Sequence, residues 1–364
     1  MSSWSDWRRG AWGAALGAVA LLGLVGCTGI GPTTVARDRF DYASAISESW
    51  KYEMLLNLVK IRYVDPPVFL EVSSIISQYQ AGGQLAAGGT WTNPPFVAGS
   101  NVSGFVQFAD KPTITYQPLS GEKFARSMMT PVQPASVMAL VQAEWPVDFI
   151  FRICVQSING VRNRIGGELR GRKADPEFPR LLAAMRRIQA SGDIGIRVEQ
   201  QDKKESVLLV LGQPTDPAVA ADLATVRSIL GTQPDAREIR LAYGGMNRTA
   251  GEVAMLTRSM FEIMAELASY IDVPQKDVAE RRVTPTLVEN SAEEGSMAAL
   301  IQIHSGCSLC ADAFASVRYR NTYFWIDDRD LASKRMFSIL MVLFTLTERG
   351  GAAGGAPIVT IPAG

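Results

Sequence analysis

Histidine is almost missing from this 364-residue chain: His304 is the only one. Any Ser-His-Asp or Cys-His catalytic set must therefore use it or do without histidine. No Gly-x-Ser-x-Gly elbow, His-Glu-x-x-His helix or P-loop occurs, so the signatures of serine hydrolases, zinc peptidases and nucleotide-binding loops are lacking. No excess of one charge exists either, with 36 basic and 36 acidic residues. That balance gives no reason to invoke nucleic acid. The chain has four cysteines, and it is long enough to bury a core without covalent staples. The uncharged run at residues 11–25 falls short of the roughly 20 apolar residues a spanning helix needs. No repeat recurs at a fixed period.

What is present begins with that run. Arg8 and Arg9 precede it, and Leu24-Val25-Gly26-Cys27 end it, the layout of a secretory signal with small residues at the cleavage point. The two arginines follow Trp7 and read as ordinary positive charge rather than a twin-arginine export signal. The ending resembles the lipobox of bacterial lipoproteins. That resemblance implies cleavage before Cys27 by signal peptidase II and acylation of Cys27 on sulfur and on its new amino terminus. Such an anchor exceeds the two signals needed for stable membrane attachment. Thr28 stands where an Asp would be the inner-membrane retention signal of enteric bacteria, so the resemblance implies the periplasmic leaflet of the outer membrane.

Charge is missing again in the middle of the chain. Residues 72–109 contain no Asp, Glu, Lys or Arg, between Glu71 and Asp110. At the chain's 20% charged content, about seven or eight would be expected in such a span. Val102, Val106 and Phe108 alternate with Asn101, Ser103 and Gln107, a β pattern whose polar partners carry no charge. The bland reading is a low-charge flap or a covered strand pair. The sharper one is a β-hairpin over 68–118 that enters a membrane or assembles between subunits. Residues 100–109 have about the 9–11 residues a membrane strand requires. The curli export channel is a functional analogy only, because no sequence match supports it.

The remaining elements predict an α+β fold: a long N-terminal helix with the low-charge β-hairpin region, a ferredoxin-like module, and a C-terminal α/β segment. A helix over 38–63 presents Tyr42, Ile46, Trp50, Met54 and Leu58 at four-residue steps and stops at Asp65-Pro66-Pro67. A strand over 68–76 follows it. Short helices over 122–129 and 135–144 come after the uncharged span. A strand over 147–158 ends at the turn pair Asn159-Gly160. A helix runs from Asp175 to near Gly192, strands over 194–199 and 206–211, a helix from Asp216-Pro217 to Gly231, and a strand over 237–243. This order is the split βαβ pattern, β-α-β-β-α-β, of ferredoxin-like modules. Thr249 and Glu252 read as a capping box for a helix reaching Tyr270. Strands over 298–304, 313–319 and 322–327, a helix over 330–348 and a strand over 358–361 complete the chain. The boundaries are 1–26 signal, 27–36 lipid-anchored tether, 37–146 helix and hairpin, 147–245 ferredoxin-like, and 246–364.

Three features carry candidate chemistry. His304, Cys307 and Cys310 form His-x-x-Cys-x-x-Cys. Three metal ligands are one reading, but a structural zinc usually takes four and no fourth is near. A redox pair is another, although it lacks the helix start such pairs use. A local disulfide between Cys307 and Cys310, in an oxidising compartment, is the leading expectation. The basic loop Arg162, Arg164, Arg170, Arg172 and Lys173, opposed by Glu168 alone, fits anionic lipid head groups, phosphorylated glycans or a merely solvated loop. Arg318, Arg320, Lys334 and Arg335 read likewise, and Asp327-Asp328 reads as salt bridging or capping in a turn beside Arg329.

Residues 50–63 and 327–337 resemble uncharacterised envelope lipoproteins, a resemblance that transfers no active residues. The expectation is a non-enzymatic lipoprotein, held at the periplasmic face of the outer membrane by Cys27. It would scaffold or bind other envelope proteins, or self-associate, with no cofactor and no nucleic acid. The alternatives are an oligomeric outer-membrane assembly or pore using the 68–118 hairpin, and a metal- or thiol-dependent enzyme at His304, Cys307 and Cys310. Cys154 has no predicted partner.

Overall fold

A computed structural model describes residues 30–76, 79–90, 99–110, 112–166, 171–201, 204–245, 251–286 and 297–348. The signal, Cys27, Thr249 of the expected capping box and the 358–361 strand lie outside the described residues. The architecture is mixed α and β, with sheets of two, six, three and two strands and no closed barrel among the described residues. The chain divides into two compact units: described residues 30–48 and 72–117 in the first, Ser49–Glu71 and residues 118–348 in the second.

Helix α1 (Ile30–Arg62) has 33 residues and starts upstream of the expected Asp38, inside the stretch read as tether. Pro32 does not prevent this, because the first turn's N–H groups have no intrahelical partner to lose. Its downstream half buries Met54, Leu55, Leu58 and Val59, with Tyr63 just beyond its end. None of the described residues of its upstream half is buried. The expected face Tyr42–Ile46–Trp50–Met54–Leu58 is therefore buried only at its last two positions. Four-residue steps advance about 40° each around a helix of 3.6 residues per turn, so such a row creeps off any flat contact. Past the helix, Val64 takes left-handed backbone (φ 60°), a strained place for a β-branched residue. Asn57 then clamps the returning chain, donating to the Val68 carbonyl (2.8 Å) and accepting from the Val68 N–H (2.9 Å).

In the first unit, β1 (Leu70–Ile76) pairs with β4 (Thr113–Pro118), and β2 (Tyr79–Thr90) pairs with β3 (Gly99–Asp110). The first two residues of β1, Leu70 and Glu71, belong to the second unit.

The second unit is built on a six-stranded sheet. In chain order come α2 (Gly121–Phe124) with a π-turn at Ala125–Met129, α3 (Pro134–Gln142), α4 (Val147–Cys154), β5 (Val155–Ile158) and β6 (Val161–Arg162). Then follow α5 (Glu177–Ser191), β7 (Ile194–Gln201), β8 (Lys204–Leu211), α6 (Pro217–Leu230), β9 (Glu238–Tyr243) and β10 (Glu252–Thr257). The strand order is β6-β5-β10-β9-β8-β7. Helix α5 is amphipathic, burying Phe178, Leu181, Met185 and Ile188, and it ends on Gly192 in the left-handed region (φ 82°). Asp216 caps α6 by accepting from Ala218 N–H (2.8 Å). Asn159 (φ 46°) and Gly160 (φ 87°) make the β5–β6 turn, as a two-residue hairpin with positive φ at both centres demands.

Two expectations change here. Residues 147–154 are helix, not strand: Val147, Ile150, Phe151 and Cys154 are buried at i, i+3, i+4 and i+7, a helical stripe behind Pro146. A short apolar run suits either state, and its period decides. The strand–helix–strand–strand–helix–strand succession is present along the chain, but the ferredoxin-like strand order is not. That order would set the first strand between the third and fourth. Here β10 takes the place beside β5, antiparallel to it and parallel to β9.

The rest of the unit comprises α7 (Met260–Ala268), α8 (Gln275–Ala279), β11 (His304–Gly306), β12 (Ala313–Tyr319), β13 (Thr322–Asp327) and α9 (Leu331–Glu348), with sheet order β11-β13-β12. Glu252 opens β10 instead of capping a helix. The capping box belongs to Ser259 and Glu262 at the start of α7. Of the expected 298–304 strand only His304 is strand, where β11 begins. Phe324, Ile326, Phe337 and Leu340 close the core between the small sheet and α9. The segments 50–63 and 327–337 both supply this core, so they are structural.

Candidate functional site

The pairing of β2 with β3 runs unbroken through twelve rungs, from Tyr79↔Asp110 to Thr90↔Gly99. A pleated strand sends alternate residues to opposite faces, so the register sorts these rungs into two sets. Ala81↔Phe108, Gly83↔Val106, Leu85↔Gly104 and Ala87↔Val102 carry only apolar residues and glycine, while the end rungs of the same set, Tyr79↔Asp110 and Gly89↔Ser100, bring a carboxylate and hydroxyls. Gly82↔Gln107, Gln84↔Phe105, Ala86↔Ser103 and Gly88↔Asn101 carry the amides and hydroxyls, with Phe105 as the large apolar member. Gln84, Ala86, Ser103, Phe105 and Gln107 all stand on this second set, and all are exposed; Phe105 is 56% exposed. Among the described residues each strand has one partner and one unpaired edge.

Long uncharged edges of this kind template aggregation unless another chain covers them. Along the sequence, charge returns with Asp110 and Lys111, and Asp110 occupies the first rung, at the ribbon's base. Every residue of the following strand, β4, is exposed, including Ile114 and Tyr116. The Ser73 hydroxyl donates to the Thr115 carbonyl (3.2 Å). Leu119 N–H donates to the Phe69 carbonyl (2.9 Å) in the second unit.

The second unit holds a shallow groove lined by Trp50, Met54, Phe69, Leu70, Met341 and Phe344, with Glu53 and Glu71 beside them. Burial holds the Glu53 carboxyl above its ordinary range, although it accepts a hydrogen bond from Leu70 N–H (2.6 Å). Lys123 pairs with Glu71.

His304 and the two neighbouring cysteines do not form one site. His304 Nδ1 lies 3.3 Å from an Asp272 oxygen, and its ring is 5.8 Å from that of Trp325. Burial works against the charged Asp330 carboxyl, yet hydrogen bonds from Ser333 and the field of His304 hold it below its ordinary range. Among the described residues no three His, Cys, Asp or Glu side chains are arranged to hold a metal ion. The leading expectation for the cysteines also changes: Cys307 and Cys310 are free thiols, the first exposed and the second half-buried. The loop between β11 and β12 leaves them unjoined. Cys154 is fully buried, and burial pushes its thiol up to about 12. We therefore expect iodoacetamide, added without reductant, to label Cys307 and Cys310 in the native protein. Cys154 should react only after denaturation, because the thiolate is the nucleophile. Peptide mapping by mass spectrometry checks both; a pair left unlabelled until reduction restores the disulfide.

Of the basic loop, Arg164 is interior, whereas Arg162 and Lys173 are exposed and Arg172 is half-buried. Arg164 is 4% exposed and pairs with Glu266 (2.8 Å), its guanidinium 4.3 Å from the Tyr270 ring centre. Arg172 donates to the Asn163 carbonyl (3.1 Å). Arg170 and Glu168 lie outside the described residues. Arg258, also buried, donates to the carbonyls of Arg152, Ile153 and Arg164 and stands 3.7 Å from Glu266. Burial lowers its pKa, and Glu266 is the main opposing influence. No spacing in the sequence announces this Arg164–Glu266–Arg258 network, since Arg164 lies about a hundred residues from the other two. Arg320 stacks on Tyr63 and Tyr319, and Lys334 pairs with Asp328. The Asp327 carboxylate accepts from Arg329 N–H (2.8 Å), one of the two readings the sequence left open for this turn. Comparison with known protein families, with curated proteins and with solved structures finds no match for this chain.

Proposed function

We propose that this chain is a non-enzymatic lipoprotein, anchored through Cys27 in the periplasmic leaflet of the outer membrane, that assembles with copies of itself. In this reading each copy donates the 68–118 hairpin region to a shared β structure in the bilayer. The observation that carries it is the sorting of the interior β2–β3 rungs, 81–88 against 101–108, into an apolar set and a polar uncharged set. Membrane strands alternate in this way, apolar toward lipid and polar toward the lumen. Twelve residues at about 3.4 Å each give roughly 40 Å of strand, above the 9–11 residues that cross a bilayer. A bilayer core tolerates no unpaired edge, so a two-stranded piece must close with others. An acyl anchor three residues ahead of α1 would hold the copies at one membrane and raise their local concentration.

The test is native mass spectrometry and negative-stain imaging of the lipidated protein in mild detergent. A closed ring of many copies is expected, and a monomer overturns the reading. The second reading is a tethered scaffold whose partner seats in the groove beside Glu53 and Glu71. It is favoured by the groove's apolar lining with two carboxylates, and a one-to-one complex with another envelope protein would select it.

A further inference from the structure

We infer that the β2–β3 ribbon lines a path for hydrophilic solutes that is neutral along its length, so the assembly sorts solutes by size and not by charge. The inference rests on the self-assembly reading and adds the chemistry of what passes. On the polar set of rungs, the exposed residues Gln84, Ser103 and Gln107 offer only amides and a hydroxyl. Amides donate and accept hydrogen bonds equally well, so they replace part of a solute's hydration without favouring a cation or an anion. Selectivity filters for ions are built differently, from rings of carboxylates, of Lys or Arg, or of converging carbonyls. No Asp, Glu, Lys or Arg occurs at any of residues 79–90 or 99–109, so these residues make no ring of fixed charge whatever the number of copies. The one charged rung, Tyr79↔Asp110, is the end rung and by alternation belongs to the apolar set, not to the polar one. Phe105, opposite Gln84, adds an apolar ring among the amides. A wall of amide, hydroxyl and one aromatic suits uncharged polyhydroxyl solutes, of which neutral glycans are the class.

The experiment reconstitutes the full lipidated protein in planar bilayers under a potassium chloride gradient and reads the reversal potential. The potassium-to-chloride permeability ratio is expected within about twofold of unity. Gln107→Glu, which adds one carboxylate per copy at a single level, should raise that ratio at least about fivefold, and Gln84→Lys should shift it the other way. Maltoheptaose serves as the neutral polyhydroxyl probe and should reduce the current reversibly from either side. A wild-type ratio far from unity, or a ratio that neither variant moves, overturns the neutral path while leaving a ring intact. A ring that does not conduct overturns it as well. Absence of both ring and conductance removes the assembly reading underneath it.

Discussion

Val106→Arg should abolish membrane insertion, while Gln107→Arg, one residue along the same strand, should still insert with altered ion preference. Val106 stands on the apolar rung with Gly83, and Gln107 on the polar rung with Gly82. If the apolar set faces lipid, an arginine there costs about 2–4 kcal/mol per copy near the bilayer midplane. Every copy in a closed structure bears that cost, so the total exceeds what marginal assembly energies can absorb. A cation on the lumen side stays hydrated and costs far less. The measurement is membrane flotation and negative-stain imaging of both variants beside the parent. Equal insertion of the two would show that neither face meets hydrocarbon. Loss of both, with β structure retained, would point to a ribbon buried between proteins instead.

The second large effect is on stability. Glu266→Ala should lower the melting temperature by on the order of 10 °C, from the roughly 3–5 kcal/mol typical of breaking a buried ion pair and about 2–4 °C per kcal/mol at this size. The Glu266 carboxylate accepts from Arg164 (2.8 Å) and from Gly166 N–H (2.5 Å), with Tyr270 Oη at 3.4 Å. It also faces Arg258 at 3.7 Å. Without it two buried guanidinium groups lose their shared counter-charge. Gly166 has no room for a side chain, because a Cβ there would run into the Ser269 Oγ and Cβ atoms. The double variant Glu266→Leu with Arg164→Met should recover much of the loss, since well-packed apolar replacements of a buried pair are often neutral or better. Circular-dichroism melts of the single and double variants check this. A single variant melting within about 1 °C of the parent would mean the pair contributes no net stability.

Local features were legible in the sequence because they depend on a few neighbouring residues. Asp65-Pro66-Pro67 stops α1, Asp216-Pro217 starts α6, Gly192 ends α5 and Asn159-Gly160 turns β5 into β6. In each case the backbone geometry of one or two residues decides the outcome. Helix or strand was harder where an apolar run was short. Residues 147–154 are apolar enough for a buried strand, and the helical spacing of Val147, Ile150, Phe151 and Cys154 becomes decisive once that stripe packs against α3 and α5. The Thr249–Glu252 and Ser259–Glu262 spacings match the same capping box. The difference lies in β10, which pairs with β9 and β5 and claims Glu252.

The uncharged span, the likeness of Cys27 to a lipoprotein acceptor and most of the succession of helices and strands in the second unit follow from the order of residues alone. These depend on local periodicity and on which side chains are present. Only the tertiary structure decided that β10 stands between β5 and β9, that Arg164 and Arg258 are interior partners of Glu266, and which residues of β2 and β3 share a rung. Strand order, burial and register join residues distant in sequence, and a shift of one residue in register would exchange every partner on the ribbon. The apolar and polar sets exist only because Tyr79 faces Asp110.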